Sequence, residues 1–382
     1  MIVKHIQLKN WRNFRYVDAP LRERVFLAGP NASGKSNFLD VFRFLRDIAK
    51  PGGGLQKAVE DRGGISKIRC LAARQHPDIE IQIDLANSPD ASAEWKYALG
   101  IKQAPRGRRL PYLAYERVWH RERQLINRPD EDDKSDPLRL TQTHLEQINA
   151  NRSFRDIARF LETVLYLHLV PQLLKHPEAF VGPGIPGDPF GRNFLERVVK
   201  TPEKTRRSRL KKIEGALLLA VPQLKGLTDV VDQTGTPHLE AEYKHWRSTG
   251  AKQREDQFSD GTLRLLGLLW SLLEGDSLLL LEEPELSLNS GIVRKIPALI
   301  HRLQRQKERQ VILSTHSADL LSDMGIGGDE VLLLTPSVEG TKVELASSIK
   351  EVRMMLEHGI SVADAALPRT VPEQVHQLDL FE

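Results

Sequence analysis

The sequence predicts an α/β fold: a mixed sheet flanked by helices, with an antiparallel β subdomain and a helical insertion. Three observations predict it. Strand and helix patterns alternate at both ends of the chain, which suits a mainly parallel sheet covered by helices. A glycine-rich stretch, GPNASGKS (29–36), stands directly between a strand pattern, RVFLAG (24–29), and a helix pattern, SNFLDVFRFLRDIA (36–49). Between the two ends, DIEIQIDL (78–85), WKYALGI (95–101) and YLAYERVW (112–119) read as strands of a small antiparallel sheet.

The elements follow in order. Alternation near 2–8 makes the first strand, which leads into NWRNF (10–14). In the helix after the glycine-rich loop, Phe38, Phe42, Leu45 and Ala49 share one stripe, and KPGGG (50–54) ends it. In the strand at 78–85, Ile79, Ile81, Ile83 and Leu85 alternate with Glu80, Gln82 and Asp84, a half-buried pattern. RPDEDDKSDP (128–137) is a polar loop and an internal boundary. Residues 141–175 carry an apolar helical stripe and are expected to be helical, as are 206–220, with the Gly/Pro-rich connector GPGIPGDPFG (182–191) between them. A strand near 238–246 precedes a helix at 261–273 and the buried strand SLLLLEE (277–283). A helix at 290–306, which Pro297 should bend, leads to the strands QVILSTHS (310–317) and EVLLLTP (330–336).

Composition sets limits. The 382 residues allow one large domain with insertions or two to three modest ones, and 40% hydrophobic with 28% charged residues is ordinary for a globular chain. No apolar run approaches the ~20 residues needed to cross a bilayer. The start of the chain reads as a strand and not as a signal segment. Its one cysteine, Cys70, excludes an internal disulfide framework and a thiolate zinc site, so the cytoplasm is the expected location. Net charge is only +4, but EKTRRSRLKK (203–212) and RGRRLPYLAYERVWHRER (106–123) concentrate basic residues. Either stretch could follow a phosphate backbone, and either could be a solvated surface face.

Four motifs carry chemistry. GPNASGKS fits G-x-x-x-x-G-K-[ST], the P-loop, in the strand–loop–helix setting that gives the pattern its meaning. Gly29 and Gly34 let the backbone curl, so that the loop Gly29, Pro30, Asn31, Ala32, Ser33, Gly34, Lys35, Ser36 and Asn37 turns its N–H groups, which all but Pro30 possess, toward phosphate oxygens. Lys35 reaches the outer phosphates, and the Ser36 hydroxyl can ligate Mg²⁺. A strand of leucines in LLLLEEPELSLN (278–289) then delivers Glu282 to hold Mg²⁺ and Glu283 to orient and deprotonate the attacking water. An acidic loop after a buried strand would explain the leucines but not the P-loop elsewhere in the chain. In FSDGTLR (258–264), Ser259, Asp260 and Gly261 open a helix and make a second anion-binding N-terminus. One P-loop needs no second phosphate site unless that site serves a nucleotide held by another copy. In STHS (314–317), His316 ends a strand beside the carboxylates and is suited to sensing the γ-phosphate of ATP.

These motifs, with IQLKNWRNF (6–14), make most of residues 1–345 resemble the ABC-type ATPases found in the heads of SMC and RecF proteins. The chain looks closest to the compact bacterial RecF-like AAA family ATPases, related to the OLD-family ATPases. The resemblance implies a P-loop NTPase of ABC-ATPase type that uses ATP and Mg²⁺. It divides the chain into an N-terminal ATPase lobe with the antiparallel subdomain (1–139), a helical insertion (140–225), a C-terminal ATPase lobe (226–345) and a tail (346–382). It implies that Ser259 and Gly261 cap the γ-phosphate of the partner subunit's ATP, that Glu283 is the catalytic base and His316 the switch histidine, and that Ser287–Asn289 form a subunit-contact loop. Gln147, in THLEQI (143–148), is the candidate for the glutamine that joins Mg²⁺ and the attacking water, and Arg12 matches an arginine near the nucleotide. There are departures. Phe258 stands where leucine is commoner, and Glu282 replaces the usual aspartate. No heptad pattern long enough for a coiled-coil arm is present, and only about forty residues follow the last strand, too few for the nuclease domain of OLD-type proteins.

The chain closes with QLDLF (377–381), which resembles the pentapeptide by which bacterial proteins bind the polymerase sliding clamp. Leu378, Leu380 and Phe381 form a hydrophobic cluster in which Leu380 and Phe381 would fill an apolar cleft while Gln377 would hydrogen-bond at its edge, unless the segment packs back on the protein's own surface. The expected function is an ATPase that closes as an ATP-dependent homodimer and acts on DNA in genome maintenance or anti-phage defence, with a separately encoded nuclease or other effector. The alternatives are a nucleotide-binding subunit of a transporter and an ATP-gated scaffold without turnover. The KNWRNF start and the long insert count against the first, and the presence of both Glu283 and His316 counts against the second.

Overall fold

The computed structural model describes residues 1–73, 78–103, 110–176, 188–244 and 251–371. Gln377, Leu378, Leu380 and Phe381 of the terminal motif therefore lie outside the described residues. The chain opens with β1 (Ile2–Trp11), β2 (Phe14–Pro20) and β3 (Arg24–Ala28). β4 (Ile79–Ala86), β5 (Trp95–Gln103), β6 (Pro111–His120) and β7 (Arg123–Arg128) join the first two in an antiparallel sheet ordered β2-β1-β4-β5-β6-β7. As the alternation predicts, Ile79, Ile81, Ile83 and Leu85 are buried.

β3 starts the second sheet. With β8 (Leu165–Leu167), β12 (Leu279–Glu282), β13 (Val311–Thr315), β14 (Val331–Ser337) and β15 (Gly340–Leu345) it forms the order β15-β14-β3-β13-β12-β8. All neighbours are parallel except β14 and β15. A third, small antiparallel sheet holds β9 (Leu224–Val231), β10 (Pro237–Tyr243) and β11 (Ala251–Arg254).

The leucine run now has its physical cause. Leu278 and Leu280 pack into one core, shared with the antiparallel sheet and the helix Lys35–Ala49. Leu279 and Leu281 pack into the other, against the helices Asp260–Leu273 and Ile296–Lys307. A strand covered on both faces needs apolar residues at every position, not at alternate ones. The helix Lys35–Ala49 is enclosed in the same way: Leu39, Val41, Phe44 and Ile48 are buried along with the expected Phe38, Phe42 and Leu45.

Two expectations are corrected. The stretch 141–175 is not continuous helix: α-helix covers Arg155–Glu162 and Pro171–Lys175, and β8 lies between them. Leu165, Tyr166 and Leu167 pair with Leu279, Leu280 and Leu281, and Pro171 bars any helix from running through from the preceding residues. Pro297 does not bend a long helix. The chain breaks after Val293 and restarts at Ile296, with the proline in the first turn, where its missing N–H has no intrahelical partner to lose. No helix among the described residues is long and apolar enough to cross a membrane.

Candidate functional site

The C-terminal ends of the parallel strands β3, β12 and β13 converge, and each delivers one motif. The P-loop leaves β3 after Ala28 and enters the helix at Lys35. Two of its positions require glycine. Gly34 has φ 98°, a conformation side chains rarely adopt, and a Cβ there would lie 2.1 Å from Nδ2 of Asn13. A Cβ on Gly29 would lie 2.6 Å from the Leu334 carbonyl oxygen of β14. Asn13 braces the loop from outside: its Nδ2 donates to the Ser33 carbonyl (2.8 Å) and to Thr341 Oγ1 (2.7 Å), and its Oδ1 accepts from Asn37 Nδ2 (2.8 Å). Thr341 Oγ1 donates to the same Ser33 carbonyl at 2.8 Å. Neither Asn13 nor Thr341 was legible as a site residue, because each acts on the loop across long sequence separations.

Lys35 folds into its own loop, its ammonium donating to the carbonyls of Gly29 (2.9 Å) and Pro30 (3.0 Å). Burial holds its pKa below the ordinary lysine value, against the opposing pull of Glu283, Glu285 and Glu282. Ser36 donates its hydroxyl hydrogen bond to Oε1 of Glu282, and Tyr166 of β8 donates to Oε2. Burial, followed by the Glu282 charge, raises the pKa of Tyr166, so the hydroxyl stays protonated and able to donate. His168 Nδ1 stands 3.3 Å from the Glu282 carbonyl oxygen.

Glu283 has φ 43°, in the left-handed region that is costly for a side-chain-bearing residue. That turn points its carboxylate to His316, whose Nδ1 is 3.1 Å from Oε1, while its backbone N–H donates to the Ser314 carbonyl at 3.1 Å. The third carboxylate of the run, Glu285, has a different task. It is buried and accepts from Thr315 Oγ1 at 2.5 Å, and burial raises its pKa. It fastens the turn after β12 to β13.

In the FSDGTLR segment, Ser259 caps the helix Asp260–Leu273 by accepting from the Thr262 N–H (3.1 Å), and it is exposed. Asp260 turns away to Lys175 and Gln172, both at 2.8 Å. A Cβ on Gly261 would lie 2.6 Å from the Ser287 carbonyl oxygen, so this helix start packs closely on the loop after the carboxylates. Ser287 itself has φ 62°, and Asn289 caps the next short helix through the Gly291 N–H at 2.9 Å. Both are exposed.

One expected site residue is not brought to this cluster, and another, Arg12, lines a cavity with Asn13 and Asn37 beside it. Gln147 bonds Gln142 (2.9 Å) and lines a cavity with Lys50, Gly52 and Arg155, beyond the C-terminal end of the helix Lys35–Ala49. That helix has 15 residues, so its two ends lie about 22 Å apart. Gln147 follows a 3-10 turn packed on β6, and the strand that does flank Glu282 is β8. Arg12 is committed to Asp40, with its Nε at 3.0 Å and a terminal nitrogen at 2.7 Å from Oδ2. Burial alone would raise the Asp40 pKa, but Arg62, Arg12 and Arg43 outweigh it and keep the carboxylate charged.

Hard oxygen donors, the Ser36 hydroxyl and the Glu282 carboxylate, meet at the mouth of the loop, and they fit Mg²⁺. Among the described residues there is no cluster of three or more His, Cys, Asp or Glu side chains that could hold a metal. A magnesium ion held mainly by phosphates and water needs none.

The fold is shared with solved SMC ATPase heads. One, an SMC head bound to the C-terminal winged-helix domain of ScpA, matches with a TM-score of 0.54 at 16% identity, covering 90% of this chain and 97% of that one. An SMC head with a coiled coil and joint from Pyrococcus yayanosii matches with a TM-score of 0.50 at 13% identity, covering 94% and 99%. Another, with an extended coiled coil and bound to the C-terminal domain of ScpA, derives from Pyrococcus furiosus and matches with a TM-score of 0.50 at 14% identity, covering 94% and 99%. These likenesses establish an ABC-type, SMC-like ATPase fold. No curated protein sequence matches the chain. The sequence pattern of one family matches residues 24–323, from β3 past His316. With that match spanning most of its length, the chain belongs to the family described as AAA domain, putative AbiEii toxin, Type IV TA system.

Proposed function

We propose that this chain is an ATP-hydrolysing switch in which two copies close head to tail around two nucleotides. The observation that supports it best is the meeting of Ser36 with Glu282 and of His316 with Glu283 at adjacent strand ends. The P-loop N–H groups and Lys35 would bind the phosphates. Ser36 and Glu282 would hold Mg²⁺, which when bound neutralises charge on the phosphate oxygens. Glu283 Oε1 or Oε2 would take the proton of the attacking water, with His316 holding the carboxylate in place. The exposed Ser259 and the Gly261 backbone would complete the site of the second copy, and Ser287–Asn289 would line the contact.

DNA is the proposed substrate surface. Lys204, Arg207, Lys211 and Lys212 are exposed on the helix Glu203–Ala220 and could follow a phosphate backbone. Two of the similar SMC heads carry a bound ScpA domain, and by analogy a separately encoded effector would act with this chain in genome maintenance or phage defence. The QLDLF motif adds a sliding-clamp contact to the proposal.

The test is ATP turnover together with sizing of wild type and Glu283→Gln, with and without ATP and DNA. Slow turnover by wild type and an ATP-trapped dimer of the variant are the expected results. A variant that stays monomeric at saturating ATP overturns the composite site, and wild type that never hydrolyses ATP overturns the enzymatic reading.

A further inference from the structure

We propose that Tyr166 is a positioning residue for the metal-binding carboxylate: its hydroxyl holds one oxygen of Glu282 back and so presents the other beside Ser36. The inference rests on the Mg·ATP reading above. It starts from an oddity of the strand end. Glutamate has one more rotatable bond than aspartate, so Glu282 has more orientations open to it and needs something to select one. The structure supplies the selector. Oε2 accepts from Tyr166 and Oε1 from Ser36, so the two hydroxyls stretch the carboxylate between the edge strand and the P-loop helix.

Tyr166 is itself fixed. It is 4% exposed, and its backbone is in parallel register with Leu280, two residues before the carboxylate. The guanidinium carbon of Arg43, from the P-loop helix, lies 4.2 Å from the centre of its ring. The ring is therefore held by the same helix that carries Ser36, and the hydroxyl has no freedom to follow a wandering carboxylate. Losing the hydroxyl would leave Oε2 facing a buried ring edge with no donor, and Glu282 would rotate away from Ser36. Partners that orient a metal-ligating carboxylate in this way commonly control metal affinity without touching the ion.

The experiment is a Mg²⁺ titration of fluorescent ATP-analogue binding, which needs no turnover. Tyr166→Phe keeps the ring under Arg43 and removes only the hydroxyl. Its Mg²⁺ midpoint should rise ~10-fold or more, with nucleotide affinity in EDTA unchanged. Glu282→Asp, too short to span both hydroxyls, should show a similar rise and serves if the Phe variant melts early. Added to Glu282→Gln, Tyr166→Phe should do nothing further, because it acts through that carboxylate. A Tyr166→Phe midpoint within about twofold of wild type overturns this proposal alone, as does an effect that simply multiplies onto Glu282→Gln. Wild type whose nucleotide binding ignores Mg²⁺ overturns the ATPase reading as well.

Discussion

Asn13→Ala would measure how much of the P-loop's shape is imposed from outside it. The side chain makes three hydrogen bonds, to the Ser33 carbonyl, to Thr341 Oγ1 and from Asn37 Nδ2. At about 1 kcal/mol net each, they sum to about 3 kcal/mol. The Ser33 carbonyl is not orphaned by the change, since Thr341 still donates to it at 2.8 Å, so about 2 kcal/mol is the better figure. Asn13 also lies against Gly34, and removing it opens space beside a loop residue whose φ of 98° glycine accepts far more readily than any other residue. The loss should be shared between folding stability and phosphate binding. If all of it fell on binding, affinity would drop roughly 30-fold. The assay is equilibrium binding of a fluorescent ATP analogue alongside thermal denaturation. Asn37→Ala removes one of the three bonds and should give about a third to a half of the effect. Wild-type affinity and melting in Asn13→Ala would refute the reasoning, and would mean that the loop holds its own shape.

Other outcomes follow from the same geometry. Glu283→Gln should lower kcat by about 10²- to 10⁴-fold while leaving ATP affinity near wild type, read by steady-state turnover and binding in parallel. Gly261→Ala places a Cβ 2.6 Å from the Ser287 carbonyl and should force the helix start off the carboxylate loop, abolishing turnover and ATP-dependent dimerisation while the monomer still binds nucleotide. Stability should fall between mildly acidic and neutral pH through Glu146, which burial pushes up to about 7 although the Leu55 N–H and Thr143 favour its charged form. The folded state then binds more protons than the unfolded one from about pH 4.5 to 7, so this contribution is full below that window and lost as pH rises through it. At about 1.4 kcal/mol per unit the upper bound is about 3 kcal/mol, and denaturant titrations of Glu146→Gln should show a visibly flatter pH profile than wild type.

Motifs that act through local backbone chemistry were readable in the sequence. The P-loop needs glycine at fixed spacing, and the LLLLEE run needs a strand buried on both faces, so each leaves a local signature at Gly29, Gly34 and Leu278–Leu281. Braces that cross the chain were not. Asn13 meets Thr341 across 328 positions, and Tyr166 meets Glu282 across 116, so no spacing rule could pair them. β8 was hidden for another reason. It has three residues, and it follows a helix whose apolar stripe runs on into it, so a period of 3.6 and a short buried strand looked the same. The expectation for Gln147 comes from the resemblance rather than from periodicity, and the strand that flanks Glu282 is instead β8.

Between residues 283–285 and 314–316 the tips of β12 and β13 are stitched by the Glu283 N–H to the Ser314 carbonyl (3.1 Å) and hydroxyl (3.3 Å), by Thr315 Oγ1 to Glu285 (2.5 Å), and by His316 to Glu283 (3.1 Å). A seam that dense obliges Glu283 and His316, the proposed proton acceptor and phosphate sensor, to travel as one block. Any signal that retunes the distance between them would first have to unpick the bond from Thr315 to Glu285, which makes a hydroxyl outside the proposed chemistry the point on which their separate adjustment turns.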